Sequence, residues 1–271
     1  MELIALVSGV TTTGRAPGPL MTLGVALLFA AIYVLGGRAN QVLGESGLRR
    51  FHSFAAGIAV SYVFVYIMPE LNAIREAHLQ SQNDYINRLF PEYSVYLSAL
   101  IGFLVFYGLE SLVARPRQMA GNAPVDQSRG TRWKPWLHIA GFAVYTWLIT
   151  FQIGGAGKGL VALSVFAVAM GLHIAPITNR LRSEHRAAYE PRGAFLLALA
   201  SLVGWACGVT LNLPAPLVLD MAAIVAGGVI VNAAIAELPR ERQASFWSFF
   251  VGAAAYTALL LILSHFEKGE A

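Results

Sequence analysis

His173 is the side chain of this sequence best placed to do chemistry inside an apolar segment. It lies in the almost uncharged run 159–179, with Pro176 three residues later and Thr178 and Asn179 just beyond. A proline has no backbone N–H, so a carbonyl about one turn earlier is freed to hold an ion. We therefore predict that His173, Thr178 and Asn179 bind a cation or relay a proton. The alternative is a plain hydrogen bond from His173 to a neighbouring helix.

A second group of polar side chains lies in the apolar run 136–153. Its members are Tyr145, Thr146, Thr150 and Gln152. They offer neutral oxygen and amide groups, whereas tight zinc sites usually have four N, O or S ligands that include His or carboxylate. This set suits a weakly held cation, a proton relay or a polar solute. We predict that Tyr145, Thr146, Gln152 and Pro176 line a transport path.

Two glutamates are further candidates for this path. Glu110 lies near the end of the apolar run 93–113, one turn before Arg115. The alternative to a role in the path is an ion pair with Arg115 at the membrane interface. Glu70 lies with Glu76 and Asp84 in an acidic segment that either attracts cations or is merely solvated.

The remaining histidines near the ends of apolar runs have simpler interpretations. His138 lies beside Trp133 and Trp136 and is typical of a residue at the membrane interface. Glu184 and His185 lie in a basic segment, where they form either an inner exit site or part of a solvated loop.

The composition indicates the class of protein. The 271 residues are 56% hydrophobic and only 13% charged, and the mean hydropathy is +0.59. One soluble core cannot bury so much apolar surface, so we predict a membrane protein. The Lys and Arg residues lie in short segments between apolar runs and form no stripe, so we expect no nucleic-acid partner. The single cysteine, Cys207, excludes a disulfide within the chain.

Stretches of about 20 apolar residues predict helices that cross a bilayer. Eight such spans are found: 19–37, 51–68, 93–113, 136–153, 159–179, 193–211, a seventh that follows Pro216 and ends near residue 236, and 244–264. Gly204 and Gly208 in span six form a GxxxG pattern that predicts a close helix contact. The fold class is therefore all-α, a polytopic membrane helix bundle, with one transmembrane domain over residues 1–271.

The distribution of positive charge predicts the orientation. Fourteen of the nineteen Lys and Arg residues fall after spans one, three, five and seven, in segments 38–50, 115–134, 180–192 and 240–242. The side with more Lys and Arg is cytoplasmic, so both termini are expected outside a cell membrane. Residues 115–133 are predicted to form a mobile cytoplasmic loop. Residues 1–10 lack a basic start, so we expect no cleaved signal peptide.

An internal similarity indicates a repeat. Gly57 in span two precedes Pro69 by twelve residues, and Gly227 in span seven precedes Pro239 by the same twelve. By the charge distribution these two spans run in opposite directions. Spans one to three and six to eight then form an inverted 3+2+3 repeat around spans four and five, which is an arrangement found in transporters.

Two stretches of the chain resemble the Zrt/Irt-like (ZIP) metal-ion transporters. The first is Phe54-Ala55-Ala56-Gly57 leading to Met68-Pro69-Glu70-Leu71, and the second runs from residue 226 through the last span. The order of spans, the outer termini and the long loop after span three are similar as well. The resemblance implies a bundle of eight helices with a cation path between spans four and five.

The ligand motifs of that family are only partly present. Its fifth span carries His-Glu-x-Pro, where this chain has His173-Ile174-Ala175-Pro176. Its fourth span carries His-Asn-x-x-Asp/Glu-Gly, and segment 145–150 keeps none of these residues. The carboxylates that would balance a divalent charge are missing, so the transport site is expected to be atypical.

Three classes of function follow from these patterns. We expect a cation transporter, with a divalent metal ion such as zinc as substrate, no resident cofactor and the lipid bilayer as surroundings. A homodimer is an open alternative to a monomer. A membrane scaffold that binds a partner and transports nothing is the alternative function. An enzyme is not expected, because no nucleophile, base and histidine cluster together in the sequence.

Overall fold

The architecture is an all-helical bundle, seen in a computed structural model that describes residues 18–36, 39–80, 93–113, 133–154, 159–237 and 245–269. No strand occurs in these residues. The predicted loop lies outside them except for Trp133, and the N-terminal ten residues lie outside them as well. Among the described residues, seven helices are long and apolar enough to cross a membrane and an eighth is slightly shorter, so the protein is a multi-pass membrane protein.

The eight predicted spans all appear as helices. Span one is Pro19–Leu35, and span two consists of Ala39–Ser61, the π-helical turn Tyr62–Ile67 and Met68–Gln80. Spans three, four and five are Ser94–Val113, Trp133–Gly154 and Leu160–Glu184. A short turn, Arg186–Ala188, and a π-helical turn, Tyr189–Gly193, lead into span six, Ala194–Thr210. Spans seven and eight are Ala215–Glu237 and Phe246–Gly269.

Span two is longer than the sequence pattern predicts. The apolar pattern ends span two at residue 68, but the helix continues through residues 70–80 to Gln80. Pro69 is tolerated inside this helix because it follows the π-helical turn Tyr62–Ile67, which accommodates the missing N–H and the ring of the proline. Glu70 therefore lies in the helix Met68–Gln80 and not in a loop. The helix that contains the membrane-spanning apolar stretch runs from Gly44, which has a positive φ of 62°, to Glu76.

Burial distinguishes inner spans from peripheral ones. Spans three and eight bury only 22% and 17% of their most apolar windows, and span seven buries 61%. Span three instead exposes large side chains that include Leu100, Ile101, Leu104 and Leu112. A continuous exposed apolar surface of this kind is the expected lipid-facing side of a bundle.

Glycines allow three pairs of spans to pack with their backbones in contact. A Cβ atom at Gly57 of span two would overlap the carbonyl of Phe249 in span eight, and one at Gly252 would overlap the carbonyl of Phe54. Spans four and six form another such pair, since a Cβ at Gly208 of span six would overlap span four. This confirms the close contact predicted from the GxxxG pattern of span six. The remaining pair is that of spans three and seven.

The contact between spans three and seven is built in the same way as that between spans two and eight. A Cβ at Gly227 would overlap the carbonyl of Ala99, and one at Gly102 would overlap that of Ile224. The spacing is the same in both contacts. On each span, the glycine lies three residues after the residue whose carbonyl faces the glycine of the partner span. The contact of span two with span eight therefore has the same arrangement as the contact of span seven with span three. Spans four and six pack with the same spacing through Gly154 and Gly208, so this contact recurs in the bundle and does not by itself establish the predicted repeat.

Candidate functional site

Tyr145 and His173 meet at the centre of the bundle. The Tyr145 hydroxyl, on span four, lies 3.0 Å from His173 Nε2 on span five and 3.3 Å from the Val225 carbonyl oxygen on span seven. Tyr145 is fully buried and His173 is 2% exposed. A tyrosine hydroxyl has one hydrogen, so when it donates to Val225 it can accept from a protonated Nε2. The pair therefore joins three spans through two predicted path residues.

The surroundings of this pair are aromatic and closely packed. The rings of Phe106 and Tyr145 lie 4.6 Å apart between centroids in an edge-to-face arrangement, and Phe142 packs against both. Gly228 leaves the space that the Tyr145 and Phe106 rings occupy. The structure is therefore closed around the His173 imidazole.

Thr146, the next residue of span four, is bonded to span one. Its hydroxyl lies 2.6 Å from the Tyr33 hydroxyl and donates to the Phe142 carbonyl oxygen at 2.7 Å. Because the single hydrogen of Thr146 is used in its own helix, Tyr33 must donate to it. Thr150 likewise donates to the Thr146 carbonyl oxygen at 2.9 Å. Tyr33 is a contact that the sequence analysis missed, since a single tyrosine in an apolar span carries no distinguishing pattern.

The other predicted residues are spread along the two spans. Thr178 and Asn179 follow His173 by five and six residues, with Pro176 in the unbroken helix between them. Thr178 is fully buried, and its methyl group lies beside Gly36. Gln152 lies seven residues after Tyr145, and its buried Nε2 has no hydrogen-bond partner in the described part of the chain. Glu70 lies on span two, with one buried carboxylate oxygen that likewise lacks such a partner.

Glu110 belongs to a separate polar cluster at the end of the bundle where spans three and five finish and span four begins, which we call the basic end. Its Oε1 lies 3.0 Å from His138 Nε2 and forms an ion pair with Arg180. Arg180 also donates to Asn232 Oδ1 of span seven at 3.2 Å. His138 Nδ1 in turn lies 3.0 Å from His185 Nε2. Four spans and the residue that follows span five thus meet here.

This cluster changes the interpretation of three sequence features. His138 is not an interfacial residue, because it is fully buried and bonded at both ring nitrogens. Arg115 lies outside the described residues, whereas Glu110 pairs with Arg180. Glu184 and His185 are half-buried beside His138 rather than in a solvated loop.

Arg180 and Asn232 were missed as site residues. Asn232 is a buried amide in an otherwise apolar span, and that isolated polarity was the signal that could have found it. Arg180 was counted only as a basic loop residue, but span five extends past it to Glu184.

One group of side chains at the basic end has the composition of a metal site. His138, Glu184 and His185 each offer a ligand atom, and these atoms lie within 4.8 Å of one another. Near His173, by contrast, the partner of its Nε2 is a tyrosine hydroxyl. Comparisons with known proteins do not add to this geometry, since no protein-family model matches the chain and no curated protein matches it significantly.

Proposed function

We propose that this protein is a cation transporter whose path follows spans four and five. The observation that carries this proposal is the set of polar side chains inside these two spans: Thr146, Tyr145, His173 and Thr178 are buried, and the half-buried Gln152 has a buried Nε2. Polar groups inside a membrane are costly, and in transporters they mark the route of the transported species. The similarity of sequence around Gly57 and Gly227 predicts an inverted repeat, which is a common transporter design.

A divalent metal ion such as zinc is the substrate we propose, in agreement with the resemblance to the ZIP transporters. His173 would supply an imidazole ligand, and Thr178 and Asn179, more than one turn further along span five, would supply neutral oxygens at a later point of the path. Pro176 leaves the Leu172 carbonyl without its usual N–H partner, which adds a backbone oxygen one turn away. Glu70 would attract the cation at one end of the path. Glu110 would mark the other, the basic end, where Arg180 balances its charge, and this end would face the cytoplasm of a cell whose membrane holds the protein.

The closed packing at His173 means that the path has to open for transport. Spans four and five would separate so that Tyr145 releases His173 Nε2. The hydrogen bond of 3.0 Å between the Tyr145 hydroxyl and His173 Nε2 then keeps the path closed, because the hydroxyl occupies the position that an ion needs.

A second candidate function is that of a scaffold that transports nothing. The same packing favours it, since Phe106 and Phe142 fill the space beside Tyr145 and the hydroxyl satisfies the imidazole. On this interpretation the polar pair only fixes the arrangement of spans four, five and seven.

Zinc uptake by purified protein in liposomes separates the two functions. We expect uptake driven by a zinc gradient, and we expect His173→Ala to lower it about tenfold or more because a ligand in the path is lost. His265→Ala is the matched control, because His265 is an exposed histidine near the end of span eight. Equal uptake in protein-containing and empty liposomes, or an unchanged rate in His173→Ala, would reject the transporter and leave the scaffold.

The conservative variant Tyr145→Phe tests whether the hydrogen bond between Tyr145 and His173 affects transport. It keeps the ring that packs against Phe106 and removes only the hydroxyl that bonds His173. We expect uptake by this variant to differ from wild type by at least about threefold, a change of roughly 0.7 kcal/mol in the barrier. An unchanged uptake rate at unchanged thermal stability would contradict a role of the hydroxyl in the path.

A further inference from the structure

We propose that the basic end contains a divalent metal site formed by His138 Nδ1, His185 Nε2 and the Glu184 carboxylate. The site is distinct from the central pair of Tyr145 and His173 and does not depend on whether the protein transports anything. Its three ligand atoms lie within 4.8 Å of one another.

The hydrogen bonds around His138 place a lone pair on the correct nitrogen. Glu110, paired with Arg180, is ionised and can only accept, so His138 Nε2 must carry the hydrogen of their 3.0 Å bond. In a neutral ring, His138 Nδ1 is then an acceptor. It faces His185 Nε2 at 3.0 Å, so one hydrogen joins the two nitrogens. A metal ion between them would take the place of that hydrogen.

Glu110 and His138 also have the arrangement that commonly supports a metal-bound histidine. In such sites the nitrogen that does not bind the metal donates to a carboxylate, which fixes the ring and makes it a better ligand. Here Glu110 is that carboxylate, and Arg180 and Asn232 hold it in place. These bonds would hold the His138 ring in the orientation that points Nδ1 at a bound ion.

The ligand distances fit a small transition-metal ion. Metal–nitrogen bonds of about 2.0–2.1 Å in a tetrahedral site place neighbouring ligand atoms roughly 3.3 Å apart. The two imidazole nitrogens are already 3.0 Å apart, so only a small movement is needed, together with an inward turn of Glu184. Two imidazoles and one carboxylate favour Zn²⁺ over Mg²⁺ or Ca²⁺ and leave a fourth position for water.

Neighbouring positive charges do not exclude a cation. Arg180 is paired with Glu110, and Arg182 is paired with Glu190 at 3.0 Å. The Glu184 carboxylate would supply a negative charge to the ion. His138 is fully buried, whereas Glu184 and His185 are half-buried, so the open side of the site gives an ion access from the aqueous face.

Zn²⁺ titration of the whole protein in detergent, without an affinity tag and by calorimetry, tests the site. We expect that His185→Ala and Glu184→Gln each weaken zinc binding by about 10- to 100-fold or more. The His173→Ala variant should keep this binding, so failure of the central path and failure of this site give different results. His265→Ala serves as the histidine control.

Two results would overturn the proposal. One is the absence of zinc binding by the wild-type protein, and the other is binding that His185→Ala and Glu184→Gln leave unchanged. Both substitutions lie at the half-exposed end of the cluster, so thermal melting should confirm that the variants remain folded. Co²⁺ gives a second readout, because its visible absorption should indicate a tetrahedral site in wild type and be lost in His185→Ala.

Discussion

Replacing Glu110 by glutamine is expected to be among the most destabilising single substitutions in this protein. The change removes the negative charge that pairs with Arg180, whose side chain is only 17% exposed, and it weakens the bond to His138. Removing one partner of a buried ion pair leaves a charge without compensation, at a cost of about 3–5 kcal/mol. Reversible unfolding in mixed micelles that contain SDS, in the presence of a chelator, measures this loss.

Two companion variants identify the cause of that loss. Glu190→Gln breaks an ion pair of a residue that is 43% exposed, so its expected cost is only about 0–1 kcal/mol. The double variant Glu110→Gln with Arg180→Gln should recover part of the stability, because no unpaired charge remains. A Glu110→Gln protein as stable as the Glu190→Gln protein would show that the cluster does not stabilise the bundle.

Substituting alanine for Gly227 is the second change for which we expect a large effect. The new Cβ atom would overlap the Ala99 carbonyl and crowd the Phe103 amide, so spans three and seven would have to move apart. Crowding of a packed contact typically costs about 1–3 kcal/mol. The same measurement of unfolding should show this loss for Gly227→Ala and, by the relation between the two pairs of spans, for Gly57→Ala.

Gly108→Ala is the matched control for this effect. Gly108 lies on span three, as does the contact with Gly227, but nothing lies within 4 Å of the position that a Cβ atom would take there. Alanine at this position should be neutral or should stabilise the helix by up to about 1 kcal/mol, because glycine is a weak helix former. If Gly227→Ala and Gly108→Ala behave alike, the close approach of the two backbones is not important for stability.

The sequence predicts the fold well because the thickness of a bilayer fixes the length of each span. All eight apolar runs become helices, and the similarity around Gly57 and Gly227 corresponds to equivalent helix contacts. The extension of span two was missed because residues 70–80 are polar. Hydrogen bonds among neighbouring side chains, such as Asn72 to Glu76 at 2.7 Å, support that helix outside the apolar region.

The candidate sites were less predictable than the spans. Sequence gives the depth of a residue along its helix but not the direction in which its side chain faces. His173 and Tyr145 were both expected in the path, yet nothing in the sequence indicates that they bond to each other. Glu110 and His138 lie in different spans at similar depth, and only the packing of those spans brings them to 3.0 Å.

The glycine contacts also determine which parts of the bundle can shear. Where a glycine lets the backbones of two spans touch, sliding by a single residue would press a side chain against a carbonyl. We therefore expect three pairs to move as units: spans two and eight, three and seven, and four and six. Span five meets span one differently, since a Cβ atom at Gly171 would lie 3.6 and 3.7 Å from the side chains of Ile32 and Phe29, at ordinary contact distance and away from any backbone atom. Spans one and five lie outside these three pairs. Any movement of span five that opens the path at His173 therefore has to break side-chain bonds, those of His173 with Tyr145 and of Arg180 with Glu110 and Asn232, and not a contact between backbones.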